Sequence, residues 1–462
     1  MEQTQHRLLF AISAVLLLLS SSAAQSFIGV NYGQVADNLP PPDATARLLQ
    51  STSISKVRLY GADPAILNAL ANTGISITIG ASNADIPSLA ADPSAASAWV
   101  SANVLPFLPA SSISTVSVGN EIFELADPSL SAQLLPAMQN LRSALAANPL
   151  SAAVKVSTVN TMAVLSRSEP PSSGAFRPEL LPPLRGVLRF LNQTGSPFMV
   201  NPYPFFAYGS DPRPETLAFC LFRPNAGRPD AGTGATYTNM FDAQLDAVRS
   251  ALAAAGFAGA EIVVAETGWP YRGDADEPGA SVENARAYNG NLIKHLESGV
   301  GTPLMPGKSV DTYIFVLYDE DLKPGPTSER SFGLFRPDLT MNYDVGLSKS
   351  SSASGSGSGS SSGQAKNPTS TTAWCVPKEG TADEQLQAAL DYACAQPGVD
   401  CGPVQPGGAC YEPDTVRSHT AYAMNQLYQA SGRNSEACDF SQSATLSSDN
   451  PSYDACVYSG GQ

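Results

Sequence analysis

Eight short apolar segments alternate with helical stretches along most of the chain, and this alternation constrains the fold more than any other feature of the sequence. The segments are rich in β-branched residues and mostly apolar, as expected for strands that are buried on both faces. They are Ile28–Gly33, Lys56–Gly61, Ser76–Ala81, Thr115–Glu121, Val154–Asn160, Phe198–Tyr203, Glu261–Gly268 and Thr312–Glu320. The helical stretches between them include Ala95–Leu105, Ser131–Ala147, Thr238–Ala255 and Val282–Ser298.

Eight such units predict a (β/α)₈ TIM barrel over residues 25–347. An open doubly wound sheet is the alternative. Such a sheet more often carries a Gly-rich phosphate-binding turn after its first strand, whereas the turn here reads Asn31-Tyr32-Gly33-Gln34.

Three further segments flank the predicted barrel. Residues 1–24 combine His6 and Arg7 with an apolar run and small residues up to Ala24, which is typical of a signal peptide. The run is too short for a membrane anchor. Residues 348–372 are dominated by Ser and Gly and predict a flexible linker. Residues 373–462 form a small cysteine-rich domain, predicted to be α+β, and its C-terminus shows no hydrophobic tail for a lipid anchor.

The overall charge and the scarcity of histidine exclude several function classes. A formal charge of −15 argues against nucleic acid or an anionic membrane as a partner, because both require a basic surface. Only three histidines are present, and His295 alone lies in the predicted barrel, in the middle of a helix and expected to face solvent. A Ser-His-Asp triad or a His-rich metal site is therefore disfavoured. We expect no metal, no cofactor and a monomer.

The cysteine distribution agrees with secretion into an extracellular space. Six of the seven cysteines lie in the small domain and predict disulfides whose connectivity the sequence leaves open among fifteen possibilities. They are Cys375, Cys394, Cys401, Cys410, Cys438 and Cys456. Cys220 remains as a buried free thiol, and Asn192 lies in a glycosylation sequon.

Polar side chains lie at the ends of the apolar segments, where a barrel places its active site. Glu121 ends the fourth segment and Glu266 lies near the end of the seventh. Two carboxyl groups are the minimum equipment for glycoside hydrolysis, because one must protonate the leaving oxygen and the other must attack the anomeric carbon. A separation of roughly 5 Å would favour a covalent intermediate and retention of configuration. Repulsion between the two charges would help to keep the acid protonated.

The strings around these carboxylates resemble a known family. The sequence Ile262-Val263-Val264-Ala265-Glu266-Thr267-Gly268-Trp269-Pro270 resembles the nucleophile signature of glycoside hydrolase family 17, the plant β-1,3-glucanases. Val118-Gly119-Asn120-Glu121 resembles the acid/base signature of the same family. The resemblance covers the whole large domain, and Glu-Thr-Gly-Trp-Pro is its most specific part. It implies that Glu121 is the acid/base, Glu266 the nucleophile and 1,3-β-glucan the substrate.

The resemblance also implies supporting residues. The strings 318–323 and 328–333 resemble a third family motif, in which Glu320, Lys323 and Glu329 would form a charged shell around the nucleophile; a solvated loop cluster is the alternative. Asp319 stands where the family often has Asn. Asn120 would donate a hydrogen bond to the sugar 2-hydroxyl. Further substrate contacts are expected from the aromatic residues Tyr32, Tyr203, Phe206 and Trp269, with a core position as the alternative for the first three.

The small domain resembles, over its whole length and with all six cysteines, the family 43 carbohydrate-binding modules that follow such glucanases and bind β-1,3-glucan. Trp374, Tyr411, Tyr422 and Tyr428 are candidates for stacking on sugar rings, although packing against the disulfides is favoured for Trp374. The sequence thus predicts a secreted retaining endo-1,3-β-glucanase of the cell wall. The alternatives are a non-catalytic glucan-binding wall protein and a transglycosylase that uses the same two carboxylates.

Overall fold

A computed structural model describes residues 28–125, 127–349 and 374–459, with gaps in the last range at 379, 397–398, 432–437, 439, 441–442, 448–449 and 454–455. The predicted signal peptide and most of the predicted linker lie outside the described residues. Contacts divide the chain into two compact units on either side of the Ser352–Ala353 boundary. Within the described ranges, no helix is both long and apolar enough to cross a membrane.

Eight parallel strands form a closed barrel in the first unit. They are β1 (Ile28–Tyr32), β2 (Lys56–Leu59), β3 (Ser76–Ala81), β4 (Ser112–Asn120), β5 (Lys155–Thr161), β6 (Phe198–Asn201), β7 (Ile262–Thr267) and β8 (Thr312–Ile314). Each strand pairs with its neighbours in chain order, and β8 pairs with β1 at Ile28 and Thr312 to close the ring. The predicted (β/α)₈ barrel is therefore confirmed, and the open sheet is excluded.

Helices connect the strands on the outside of the barrel. They are α1 (Pro42–Gln50), α2 (Pro64–Ala69), α3 (Ile86–Ala91), α4 (Pro93–Asn103), α5 (Pro128–Ala146), α6 (Leu181–Thr194), α7 (Pro204–Ser210), α8 (Pro214–Cys220), α9 (Met240–Ala254) and α10 (Val282–Glu297). Several begin with a proline and an aspartate cap, as in α5, where the Asp127 carboxylate accepts hydrogen bonds from the Ser129 and Leu130 amides. Three two-stranded hairpins decorate the loops: Leu165–Arg167 with Ala175–Phe176, Arg228–Asp230 with Ala235–Tyr237, and Gly301–Thr302 with Met305–Pro306.

The strands divide their side chains between two apolar regions. Ile262 and Val264 of β7 belong to the large core that the helices complete. Val263 and Ala265, the alternate residues, join a separate small cluster with side chains of β5, β6 and β8. Because successive side chains point to opposite faces of a strand, this second cluster fills the barrel interior.

The second unit is small and disulfide-linked. Strand β9 (Trp374–Pro377) pairs antiparallel with β10 (Ala444–Ser447), and helix α11 (Asp383–Cys394) packs against α12 (Val416–Ala430). The bridges are Cys375–Cys438, Cys394–Cys401 and Cys410–Cys456. The expected α+β disulfide-rich domain is confirmed. Trp374 packs with Cys410 and Cys456, as the sequence favoured, and Tyr422 and Tyr428 are also buried.

Candidate active site

A cleft of about 640 Å³ opens at the carboxyl ends of the barrel strands and contains both predicted catalytic carboxylates. Its lining combines acidic groups with aromatic rings, as is usual for a site that binds a polar ligand with an apolar face. The lining residues are Gln34, Val35, Tyr60, Asn120, Glu121, Tyr203, Phe206, Glu266, Phe315, Glu320, Lys323, Glu329 and Phe332.

Glu266 is a buried carboxylate held by three donors from other strands. Its Oε1 atom accepts hydrogen bonds from Arg58 Nη1 at 2.6 Å and from the Tyr60 hydroxyl at 2.8 Å. Its Oε2 atom accepts one from the Tyr203 hydroxyl at 3.0 Å. Arg58 is only 1% exposed. A buried guanidinium and two phenols therefore fix the orientation of Glu266 and stabilise its negative charge.

An irregularity at the end of β7 directs Glu266 into the cleft. Strict alternation after Ile262 and Val264 would point Glu266 outwards, toward the helices. The register between β7 and β8 shifts between Val264 and Thr267, where the regular pairing is interrupted. Such an irregularity redirects side chains at strand ends, and here it coincides with the residue that reaches the cleft.

Glu121 follows β4 in an uncommon backbone conformation. Its φ is 58°, in the left-handed region, and Gly119 two residues earlier has φ 66°. Asn201 Nδ2 donates to Glu121 Oε1 at 2.7 Å. Burial, followed by the nearby charge of Glu266, raises the pKa of Glu121 to about 7.

The two carboxyl groups thus have opposite properties in one cleft. Glu121 retains its proton up to neutral pH, whereas Glu266 is paired with a guanidinium. This difference is the one that a general acid and a nucleophile require, since the acid must donate a proton and the nucleophile must be charged. Among the described residues, no three His, Cys, Asp or Glu side chains cluster in a way that would hold a metal ion.

The predicted charged shell is present in the cleft, but it is arranged differently from the expectation. Lys323 Nζ pairs with Glu329 at 2.8 Å and lies 4.6 Å from the centre of the Phe315 ring. Glu320 accepts a hydrogen bond from the Val35 amide at 3.0 Å, and burial raises its pKa. The cation bound directly to Glu266 is Arg58 and not Lys323.

Gly33 is required by the position of Glu320. A Cβ atom at residue 33 would lie 2.2 Å from the Glu320 carboxyl carbon. Only glycine therefore lets the loop after β1 pass this buried carboxylate. The close approach joins the first and last strand ends beside the cleft.

Two predicted sugar contacts do not reach the cleft. Trp269 is completely buried, donates its indole hydrogen to the Gly279 carbonyl at 2.8 Å and packs edge-on against Phe205. Tyr32 is 2% exposed, and its ring packs edge-on against Tyr318. Both rings belong to the hydrophobic core, because each lies at a strand end where its side chain points toward the helices. Tyr203, Phe206 and Asn120 do line the cleft, and half of the Phe206 surface is exposed.

Arg58 and Tyr60 bind Glu266, and Asn201 binds Glu121, although the sequence assigned these three residues no role. Their only sequence signal is position, since each is a polar residue at or near a strand end. Arg58 also connects β7 with β4, because it binds Glu266 through Nη1 and its Nη2 atom donates to Asn120 Oδ1 at 2.7 Å. Asn83 supports Asn120 in turn, because its Oδ1 atom accepts a hydrogen bond from the Asn120 backbone amide at 2.7 Å.

His295 was expected to face solvent, and this was wrong. Its side chain is 18% exposed, and its Nε2 atom lies 2.8 Å from Asp242 Oδ1. His295 lies in the last turn of α10, where a neighbouring aspartate and the Phe222 ring cover it. The predicted glycosylation residue, Asn192, lies in the last turn of α6 and is exposed. Cys220 is buried and unpaired, as predicted.

A family model described as "Glycosyl hydrolases family 17" matches residues 28–347, which is the whole described barrel. The chain belongs to this family. A model of the X8 domain matches residues 373–445, in the disulfide-linked unit. The resemblance of the large and the small domain to known families is therefore confirmed.

Two relatives of this family 17 chain align over nearly its whole length, and a solved structure aligns over 70% of it. "Glucan endo-1,3-beta-glucosidase 7" of Arabidopsis thaliana is 64% identical over 453 residues, covering 97% of this chain and 88% of the relative. "Glucan endo-1,3-beta-D-glucosidase" of Olea europaea is 56% identical over 98% of both chains. Among solved structures, "CJP38, a beta-1,3-glucanase and allergen of Cryptomeria japonica pollen" is 40% identical with a TM-score of 0.66, covering 70% of this chain and 99% of that one.

Proposed function

We propose that this family 17 protein is an endo-1,3-β-glucanase that cleaves internal linkages of 1,3-β-glucan with retention of configuration. One observation carries the proposal: Glu121, with a pKa of about 7, shares a cleft with Glu266, which Arg58 and two tyrosines hold. The relatives named as glucan endo-1,3-β-glucosidases, at 64% and 56% identity, support the substrate and the bond cleaved.

The reaction proceeds in two displacements. Glu266 attacks the anomeric carbon while Glu121 gives its proton to the departing glycosidic oxygen, so that a glycosyl–enzyme ester forms and the first product leaves. Glu121, now ionised, takes a proton from water as the water attacks the same carbon. The ester bond to Glu266 breaks, and both carboxyl groups return to their starting states.

Asn120 is suited to bind the sugar next to the reacting carbon. Because Arg58 donates to Asn120 Oδ1, the Nδ2 group is the one that can donate to a substrate hydroxyl. The exposed ring of Phe206 and the partly buried ring of Tyr203 offer apolar surface for the C–H faces of neighbouring sugars.

The X8 domain is proposed to bind the same polysaccharide and to hold the barrel near it. The predicted signal peptide, the three disulfides and the relatives support secretion into the cell wall space. Transglycosylation is the second candidate, because a sugar hydroxyl can take the place of water in the second displacement. A purely binding role is disfavoured by the intact carboxyl pair, in which the pKa of Glu121 is raised and Glu266 is paired with Arg58.

Variants of the two carboxyl groups test the proposal. Glu266→Gln should abolish turnover on linear 1,3-β-glucan and retain oligosaccharide binding. Glu121→Gln should slow cleavage most for substrates with poor leaving groups, because a good leaving group needs less protonation. Proton NMR should show the first product as its β-anomer. An α-anomer would exclude retention, and equal losses on natural and activated substrates would remove Glu121 from the acid role.

A further inference from the structure

Two tyrosines of the X8 domain, Tyr392 and Tyr411, stand outside its apolar clusters. The other aromatic residues of the domain are either buried or packed against those clusters. They are Trp374, Tyr422, Tyr428, Phe440, Tyr453 and Tyr458. Tyr392 is 57% exposed, and Tyr411 is partly exposed. Among the described residues of the domain, these two rings are therefore the ones that no apolar cluster includes.

Tyr411 is held rigidly by its neighbours. Its ring lies parallel to the His419 ring, with 5.4 Å between centroids and 27° between planes. Its hydroxyl donates to Asp414 Oδ2 at 2.7 Å, and its carbonyl oxygen lies 2.7 Å from His419 Nε2. The preceding residue, Cys410, is buried and bridged to Cys456. A ring fixed in this way loses little conformational entropy when a ligand binds.

The surroundings of Tyr411 suit a sugar. His419 covers one face of the ring, so a ligand would approach the opposite face. Glu412 and Asp414 are exposed beside the ring. One oxygen of each already accepts a hydrogen bond, Glu412 Oε2 from the Asp414 amide at 3.3 Å and Asp414 Oδ2 from the Tyr411 hydroxyl. The second oxygen of each carboxylate can accept from sugar hydroxyls. A pyranose has an apolar C–H face and an equatorial rim of hydroxyls, which together match an aromatic platform with adjacent acceptors.

We infer that the free face of Tyr411, with the carboxylates of Glu412 and Asp414, is where the X8 domain binds a glucosyl unit of 1,3-β-glucan. The inference rests on the proposed function, because it takes the polysaccharide substrate of the barrel as the ligand of the domain. The proposed sugar platform is supported by the orientation of the Tyr411 ring and by the contacts of its side chain.

Tyr392 provides a matched control. It is more exposed than Tyr411, but among the described residues its one ring partner is Phe440, which it contacts edge-on at 6.2 Å and 83°. It lies on the surface of α11, where the neighbouring Asp391 carboxylate accepts a hydrogen bond from Gln387 at 2.9 Å. Exposure alone would therefore favour Tyr392, whereas the stacked and hydrogen-bonded position of its ring favours Tyr411.

The test measures binding of the domain to insoluble linear 1,3-β-glucan. A protease-recognition sequence is inserted in the 348–372 segment, so that the domain folds in the intact chain before it is cut free. Tyr411→Ala should raise the Kd of the released domain roughly tenfold, and Tyr392→Ala should leave it within about twofold. Mass spectrometry without reduction checks that all three disulfides remain in each variant.

The outcomes distinguish a failure of the proposed role of the X8 domain from a failure of the proposed Tyr411 platform. A wild-type domain that does not bind would overturn the proposed role of the X8 domain itself. A wild-type domain that binds, together with a correctly bridged Tyr411→Ala domain of unchanged Kd, would overturn only the platform. If Tyr411→Ala loses its bridges, Glu412→Gln/Asp414→Asn carries the test, because it leaves the ring in place. A several-fold weaker Kd is then expected, and an unchanged Kd would overturn the platform.

Discussion

Glu121 combines two unfavourable features that serve its proposed role. Its left-handed backbone costs about 1–2 kcal/mol for a residue with a Cβ atom. Its burial next to Glu266 disfavours the charged form and raises its pKa to about 7. Neither feature stabilises the fold, so the rest of the barrel must maintain both.

The raised pKa of Glu121 predicts the pH dependence of the reaction. The acid is competent only while protonated, so kcat/KM should fall with an apparent pKa of about 7 on the alkaline side. Glu121→Gln, assayed on an activated aryl substrate, should lose this alkaline limb. Glu124→Gln, at an exposed neighbouring position, should keep this limb at a somewhat lower apparent pKa, because the charge of Glu124 contributes to the raised pKa of Glu121. An alkaline limb that persists in Glu121→Gln would assign it to another group.

Arg58 predicts a coupled effect on stability. Arg58→Met leaves the Glu266 carboxylate buried without its cation and should lower the free energy of unfolding by about 3–5 kcal/mol. Adding Glu266→Gln removes that unpaired charge, so Arg58→Met/Glu266→Gln should recover much of the loss. Urea unfolding at neutral pH measures both effects. Strictly additive losses in the double variant would show that the ion pair is not the cause.

At the scale of elements, the loops after β7 and β8 are tied together above the cleft. Asp274 accepts hydrogen bonds from the Thr327 amide at 2.9 Å and from the Thr327 hydroxyl. Glu277 accepts them from the Ser328 amide at 3.1 Å and from the Ser328 hydroxyl. These carboxylates hold the short helical turn Thr327–Arg330, which carries Glu329 into the cleft.

Loosening this tie should impair catalysis without touching the reacting carboxylates. Glu277→Ala should lower kcat/KM by roughly 10-fold to 100-fold, because small displacements of groups in an active site are costly. Asp276→Ala, at an exposed position in the same loop, is the matched control and should retain the wild-type value. Equal kcat/KM for the two variants would mean that the position of Glu329 does not depend on the tie.

The sequence predicted the elements well and the contacts between them poorly. Eight buried strands follow from local apolar runs, so the barrel and the strand-end positions of Glu121 and Glu266 were accessible. The direction in which a ring points could not be predicted from such runs, as Trp269 shows. Its burial depends on Phe205 and Gly279, which belong to other elements. The Arg58–Glu266 pair spans 208 positions along the chain, and no local pattern encodes such a partner.

At the scale of the whole molecule, covalent cross-links are confined to one of the two units. All three disulfides lie between Cys375 and Cys456, and burial raises the pKa of Cys220 to about 12. The small unit buries little apolar surface and depends on its bridges, which typically contribute about 2–4 kcal/mol each.

Reduction should therefore unfold the X8 domain and leave the barrel folded. With dithiothreitol, a calorimetric scan should lose the transition of the X8 domain and keep that of the barrel. Without reductant, a thiol-alkylating reagent should leave Cys220 unmodified until the barrel unfolds, because the thiol is buried and protonated. A bridge between Cys220 and any cysteine of the X8 domain would contradict this separation.

The closure of the barrel by β8 and β1 also bears on behaviour at a surface. An enzyme that gathers on an insoluble polymer is crowded there, and crowding favours association through unpaired strand edges. Each barrel strand here is hydrogen-bonded on both sides, so the main sheet has no edge to offer. The ring that positions Glu121 and Glu266 therefore also keeps the barrel strands of densely packed molecules from joining one another.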